Sequence, residues 1–221
     1  MPTSAPYNLT ANFATPLASR LHPSPDALNQ RLRALFLEME KRPAEYARPQ
    51  PSMKINRGLF ESHFHLFGID EPAIRELRDY CWGTLFQLVC ELNEYGPAEA
   101  AKLEIYGDSW FHITRQHGYF GMHNHPMASW SGVYCVDPGN SPAEHPDSGV
   151  LQFHHPNMAA VMYEDPGNTR LRAPFRFSNL NFHLRPGLLV LFPSWLVHEV
   201  LPYTGTAPRI TVAFNCWMRM T

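Results

Sequence analysis

The pattern of apolar positions divides the chain in two. Up to about residue 100 it runs at helical spacing. Leu28, Leu32, Leu35, Phe36 and Met39 share a face after Ser24-Pro25-Asp26, which offers a capping hydroxyl, a proline at the first helical position and an acid in the first turn. A helix to about Lys41 is expected, then a linker at 43–51. A second helix opens near Asp70-Glu71-Pro72, buries Ile74, Leu77, Cys81, Leu85, Leu88 and Val89, and ends before Gly96. Residues 1–23 are polar and Pro-dotted, an arm or a loosely packed strand.

From Leu103 the pattern changes to short strands between Gly, Pro, Asn and Asp turns. The expected strands are 103–106, 109–114, 129–136, 150–154, 175–177, 181–184, 188–192, 197–201 and 209–218. Strands of this number and length in two sheets make a mainly β fold of jelly-roll, cupin-like type. Both helices are expected to pack on the outside of the sheet. Residues 1–100 then support, within one domain, a jelly-roll core at 101–221.

Composition narrows the function. Twenty-one prolines and only 17% charged residues favour a β-rich, loop-rich protein. The net charge of -2 gives no footprint for nucleic acid or an anionic membrane. Cys81, Cys90, Cys135 and Cys216 form no C-x-x-C pair, so reduced thiols are expected. The N-terminus lacks a signal-peptide pattern, and a soluble, cytoplasmic protein is expected.

The chemistry is carried by four residues of the second half: His123 and His125 in M-H-N-H-P, His198 in W-L-V-H-E-V, and Arg209 in P-R-I-T-V. Histidines at i, i+2 on an extended strand lie roughly 6.5–7 Å apart on one face and can reach one ion. His198 follows the apolar run Leu188 to Phe192, and the Pro202 to Pro208 stretch reads as a hairpin loop. Such a hairpin puts Arg209 near Leu201, about 10 Å along the strand from His198. A diacid chelating the metal can then set its far carboxylate on the guanidinium, with Thr211 on the same face as a further donor.

These residues resemble the 2-oxoglutarate- and iron(II)-dependent oxygenases, over roughly residues 110–217. The resemblance is carried by Trp110, His123-Asn124-His125-Pro126, Ser131-Gly132-Val133-Tyr134, Leu188 to Pro193 with His198, and Arg209 with Phe214-Asn215. The chain looks most like a bacterial and phage subgroup with an H-x-H-P…S-G-V-Y…H…R pattern. The resemblance implies a double-stranded β-helix. It also implies iron(II) on His123 and His198, and 2-oxoglutarate held by Arg209 with Thr211. His125 stands where most of the family has Asp or Glu. The implied activity oxidises a C–H bond with release of succinate and CO2.

A third imidazole in place of the carboxylate leaves the site one charge more positive and open to zinc, nickel or copper. Two rivals follow: a three-His cupin-type dioxygenase that needs no 2-oxoglutarate, and a non-catalytic metal-binding jelly roll. Asp137, Glu144 and Asp147 are weaker carboxylate candidates, because Asp137-Pro138-Gly139-Asn140 reads as a turn. His63-Phe64-His65 is assigned a structural or surface role, and His154-His155 a strand-end loop. Trp110, His112 and Tyr134 are given no role beyond the interior. The substrate is a small molecule or a peptidyl side chain, approached over loops 115–121 and 144–148, and apolar outer strands suit a homodimer.

Overall fold

The computed structural model describes residues 7–53, 58–157 and 163–221. In chain order its elements are β1 (Ala18–Leu21), α1 (Pro25–Glu40), α2 (Pro43–Tyr46), β2 (Leu59–Glu61), α3 (Pro72–Leu92), α4 (Pro97–Ala100), β3 (Leu103–Thr114), β4 (Phe120–His123), β5 (Trp130–Asp137), β6 (Leu151–Phe153), β7 (Leu180–Phe182), β8 (Leu188–Pro193), β9 (His198–Val200) and β10 (Arg209–Met220). They build two antiparallel sheets, a major one in the order β1-β8-β5-β10-β3-β2 and a minor one in the order β4-β9-β6-β7. This is the double-stranded β-helix.

Strand alternation makes the layers. Along β10, Ile210, Val212, Phe214 and Cys216 join a core shared with Leu28, Leu32 and Phe36 of α1 and Ile74, Leu77, Cys81 and Leu85 of α3. Their neighbours Arg209, Thr211, Ala213 and Asn215 point the other way, into the cleft between the sheets. On β8, Leu189 and Leu191 face the helices, while Leu188, Val190 and Phe192 pack against Leu151 and Phe153 of the minor sheet. With both faces covered, such a strand reads as an unbroken apolar run. Gly132 is needed where β5 crosses Phe214, because a Cβ there would lie 2.1 Å from the ring.

The helix starts differ in detail. Glu71, not a Ser or Asp, caps α3, its carboxylate accepting from the backbone of Ala73 and Ile74. Ser24 precedes α1 without a side-chain cap, and Pro25 at the first position does the setting-up. The linker at 43–51 holds the short α2.

Four expectations are corrected. The strands expected at 103–106 and 109–114 are one strand, β3, paired with β10 along its length. Residues 175–177 form no strand, and β2 and β4 were not anticipated as strands in the sheet plan. His125 lies beyond the end of β4, in a turn closed by the Ala128 N–H donating to the His125 carbonyl. The 202–208 segment is not a hairpin: β9 pairs with β4 and β6, while β10 pairs with β3 and β5. The segment crosses from one sheet to the other, so Arg209 and His198 approach the cleft from opposite walls.

Phe36 is fully buried and stacked on Phe111, ring centroids 4.3 Å apart. Phe36→Ala is expected to lower the unfolding free energy by about 3–5 kcal/mol in denaturant titration. Metal affinity should change little, since the cavity opens on the helix side of the sheet.

Candidate metal and co-substrate centre

Cross-strand register brings the first two imidazoles together. His123 of β4 is the direct partner of His198 of β9, and their ring centroids lie 4.3 Å apart. His125 joins from the turn, held by its backbone N–H on the Ser194 carbonyl at 2.8 Å. Its ring lies 4.9 Å from His123 and 5.3 Å from His198. One nitrogen from each of the three rings falls within 4.8 Å of the others, and this triad can hold a metal ion.

The tautomers are set from behind. Nδ1 of His123 meets the Gly121 carbonyl at 2.7 Å, and Nδ1 of His198 meets the Leu196 carbonyl at 2.8 Å. With Nδ1–H donating to a carbonyl, the Nε2 lone pair is left for a cation. Burial, with repulsion from the other imidazoles, pulls His198 down to about 3 and His125 to about 4, and burial also lowers His123. Near neutral pH all three are unprotonated, as metal ligands must be.

The opposite wall supplies a cation. Arg209 is 3% exposed, and its Nη2 is buried with no hydrogen-bond partner. Its guanidinium pairs with no carboxylate among the described residues, although burial works against the charged form. Thr211, two residues on, lines the same cleft, and a β-bulge separates Ile210 from Thr211 in the pairing with β5. The indole Nε1 of Trp110, on the cleft wall, is another buried donor without an acceptor. Unsatisfied buried donors of this kind are rare, and they mark where an acceptor belongs.

A residue pair with no sequence signal completes the centre. Glu61 of β2 sits opposite His112 of β3, its Oε1 3.6 Å from His112 Nε2. Burial pushes the Glu61 carboxyl up, but the His112 imidazole and the Ser52 backbone and hydroxyl outweigh it and bring it down to about 2. His112 lines the cleft, with its ring 5.2 Å from Phe120, so Glu61 is a buried negative charge on the major-sheet wall whose field reaches His123. Only the pairing of β2 with β3 creates this contact.

Other candidates fall elsewhere. Asp137 is bound by Arg33 and accepts from Gly139 N–H, a turn as expected. Glu144 and Asp147 are outside the triad. Of the 144–148 loop, Pro146 and Ser148 line a second cavity beside Arg209 rather than the triad cleft. His65 packs its ring against Gly68, and His154 pairs with Glu199 at 2.8 Å. Among the described residues no helix is long and apolar enough to cross a membrane.

Residues 108–215, which hold the triad, Trp110, His112, Arg209 and Thr211, match the family model described as "Putative 2OG-Fe(II) oxygenase". Over that segment the chain is similar to the 2-oxoglutarate- and iron(II)-dependent oxygenases. The fold agrees with solved structures at low identity. A Pseudomonas putida prolyl-4-hydroxylase is 18% identical, with 95% of this chain and 94% of that chain covered and a TM-score of 0.58. AviO1 from Streptomyces viridochromogenes Tue57 is 16% identical, with 92% and 90% covered and a TM-score of 0.59. HygX from Streptomyces hygroscopicus, solved with nickel and 2-oxoglutarate bound, is 11% identical, with 92% and 83% covered and a TM-score of 0.55. A search of curated protein sequences found no match.

The metal-free protein should lose stability on mild acidification. Unfolded histidines protonate near 6.5, whereas folded His125 and His198 stay neutral down to about 4 and about 3. Between these limits the unfolded state binds more protons, so stability falls as pH drops from 6.5 towards 4. Each such group contributes at most about 1.4 kcal/mol per pH unit. Denaturant titrations at pH 7, 6 and 5 measure the slope, and His198→Gln should flatten it.

Proposed function

We propose that His123, His125 and His198 hold iron(II), and that Arg209 with Thr211 anchors the distal carboxylate of 2-oxoglutarate. The observation that carries this reading is the buried, unpaired Arg209 guanidinium facing the imidazole triad across the cleft. A guanidinium out of water with no counter-charge is costly unless an anion joins it, and a carboxylate matches its fork with two parallel hydrogen bonds. The donor set fits the pair: borderline nitrogen ligands at one end, an anion clamp at the other, and apolar Val133, Leu151 and Phe192 lining the same cleft.

Iron(II) and 2-oxoglutarate, when bound, supply the oxidising power: dioxygen is consumed, succinate and CO2 leave, and a substrate C–H bond is oxidised. The chain's own residues bind, orient and exclude water. Gly121 and Leu196 carbonyls keep the Nε2 atoms of His123 and His198 deprotonated and aimed. Thr211 adds a hydroxyl beside the guanidinium on the floor, and Trp110 adds an indole N–H to the wall. The helix-braced major sheet holds Arg209 rigid, so the co-substrate is positioned before any substrate arrives. His125 lacks the charge of a carboxylate ligand. Glu61 and Glu199 are the carboxylates whose field reaches His123, and they offset part of that difference from outside the ligand shell.

Exposed Met122, Met127 and Trp195 flank the triad in sequence, and Asn124 Nδ2 donates to the Trp195 carbonyl. This edge favours a substrate that presents an apolar or aromatic surface over a strongly charged one. A peptidyl side chain or a small molecule with such a face both satisfy it.

Anaerobic titration with iron(II) and then 2-oxoglutarate, followed through the charge-transfer band of the chelate, tests the reading. The band should form in the wild type, and Arg209→Ala should weaken 2-oxoglutarate about 100-fold, the equivalent of two charge-assisted hydrogen bonds. His125→Ala should lower iron affinity at least about 10-fold, while His125→Asp retains it. Iron binding without a band would instead favour a three-His enzyme that does not use 2-oxoglutarate. Unchanged metal content in His125→Ala would remove that residue from the ligand set.

A further inference from the structure

Behind Arg209 lies a second cavity of about 230 Å3, lined by Pro138, Gly139, Ser141, Pro146, Ser148, Gly149, Val150, His183, Leu184 and Arg209 itself. Arg209 is therefore a shared wall, with the triad cleft on one side and this cavity on the other. We propose that the cavity is a second binding site for a small carboxylate, which takes the guanidinium edge left free by the co-substrate. The proposal rests on the reading of Arg209 as the co-substrate anchor.

The donor inventory is the first argument. A guanidinium carries five N–H donors, and a bidentate carboxylate engages two. Arg209 reaches no acceptor in the described residues, and its Nη2 is buried; with 2-oxoglutarate on two of the five donors, three still have no protein partner. A second acceptor on the far edge resolves that deficit.

The second argument is how the chain gives the side chain access. Gly149 has φ +66°, and a Cβ there would stand 3.1 Å from Arg209 Cδ and 3.3 Å from Nε. A glycine at this position leaves the guanidinium stem open to the cavity instead of covering it.

The rest of the lining suits a small carboxylate. Val150, Leu184, Pro138 and Pro146 offer hydrocarbon contact, and Ser141, Ser148 and His183 offer polar groups at the rim. Ser141 Oγ donates within its own loop to the Ser148 carbonyl, and Ser148 Oγ accepts from Thr204 N–H. His183 makes no hydrogen bond or ion pair among the described residues, which leaves its imidazole for the ligand. Of the neighbouring acids, Asp137 is paired with the Arg33 guanidinium at 2.8 Å, which reduces its repulsion of an incoming anion.

Calorimetric titration of the whole protein decides the matter, with 2-oxoglutarate and succinate as probes in the presence and absence of iron(II) under anaerobic conditions. Two 2-oxoglutarate events per chain are expected. One requires iron and produces the optical band; the other is iron-independent and is also satisfied by succinate. His183→Ala should weaken the iron-independent event about 10-fold, the loss of one hydrogen bond to a charged group, and leave the band's midpoint within about twofold. Ser148→Ala, which removes the hydroxyl whose proton is not committed, should act in the same direction, and Arg209→Ala should weaken both events about 100-fold.

A single event, coupled to the band, would overturn the second site and leave the metal centre standing. An iron-independent event that neither His183→Ala nor Ser148→Ala weakens would also overturn it. Loss of the iron-dependent event in wild type would instead strike the reading of the metal centre. Progress curves separate the sources of the ligand. If the enzyme's own succinate occupies the cavity, accumulating product should change the wild-type curve but not that of His183→Ala. If other cellular carboxylates are the occupants, acetate and glutarate should compete with succinate in wild type at similar concentrations.

Discussion

The structure is organised around one uncompensated charge. Arg209 stands at the start of an apolar strand, 3% exposed, with no carboxylate and no carbonyl among the described residues to receive its donors. A free cation in such a place is tolerated only where surrounding structure holds it there and an anion completes it. The holding is done by β10, bonded on both sides by β3 and β5 and sealed from behind by α1 and α3. The two helices are therefore part of the chemistry at one remove, since their packing fixes the wall that carries the cation.

The facing wall solves a different problem. Metal ligands must be neutral, aimed and close together, and buried imidazoles meet the first condition without assistance. Aim comes from main-chain carbonyls at Gly121 and Leu196, so it depends on backbone course and not on further polar side chains. Closeness comes from register, which sets His123 directly across from His198. A slip of one residue would send one of the two rings to the outer face of the sheet.

The proposed place of His125 in the ligand set, where a carboxylate would carry a charge, has an electrostatic counterpart. Glu61 is buried and kept ionised down to about 2 beside His112, on the same cleft. Negative charge is thus present near the centre but outside the ligand shell. Its field reaches His123 through the protein, where charges are screened less than in water.

Much of this was legible in the sequence. The two long helices follow from stripes at 28–39 and 74–89, and the β-rich second half from short apolar runs between turn residues. Arg209, Thr211 and Asn215 alternate with fully buried residues in β10, and period-2 polarity inside an apolar strand is itself a sign of a lined cleft. The triad was readable as residue types at suggestive spacing. Which wall each residue occupies was not. The 202–208 segment has hairpin composition, yet it bridges the two sheets, because turn residues dictate only a local change of direction and not which partner the next strand finds. The Glu61–His112 contact and the cavity behind Arg209 were equally invisible. Each depends on strands or loops far apart in the chain meeting in space, and such pairing is decided by the packing of whole sheets rather than by any local pattern.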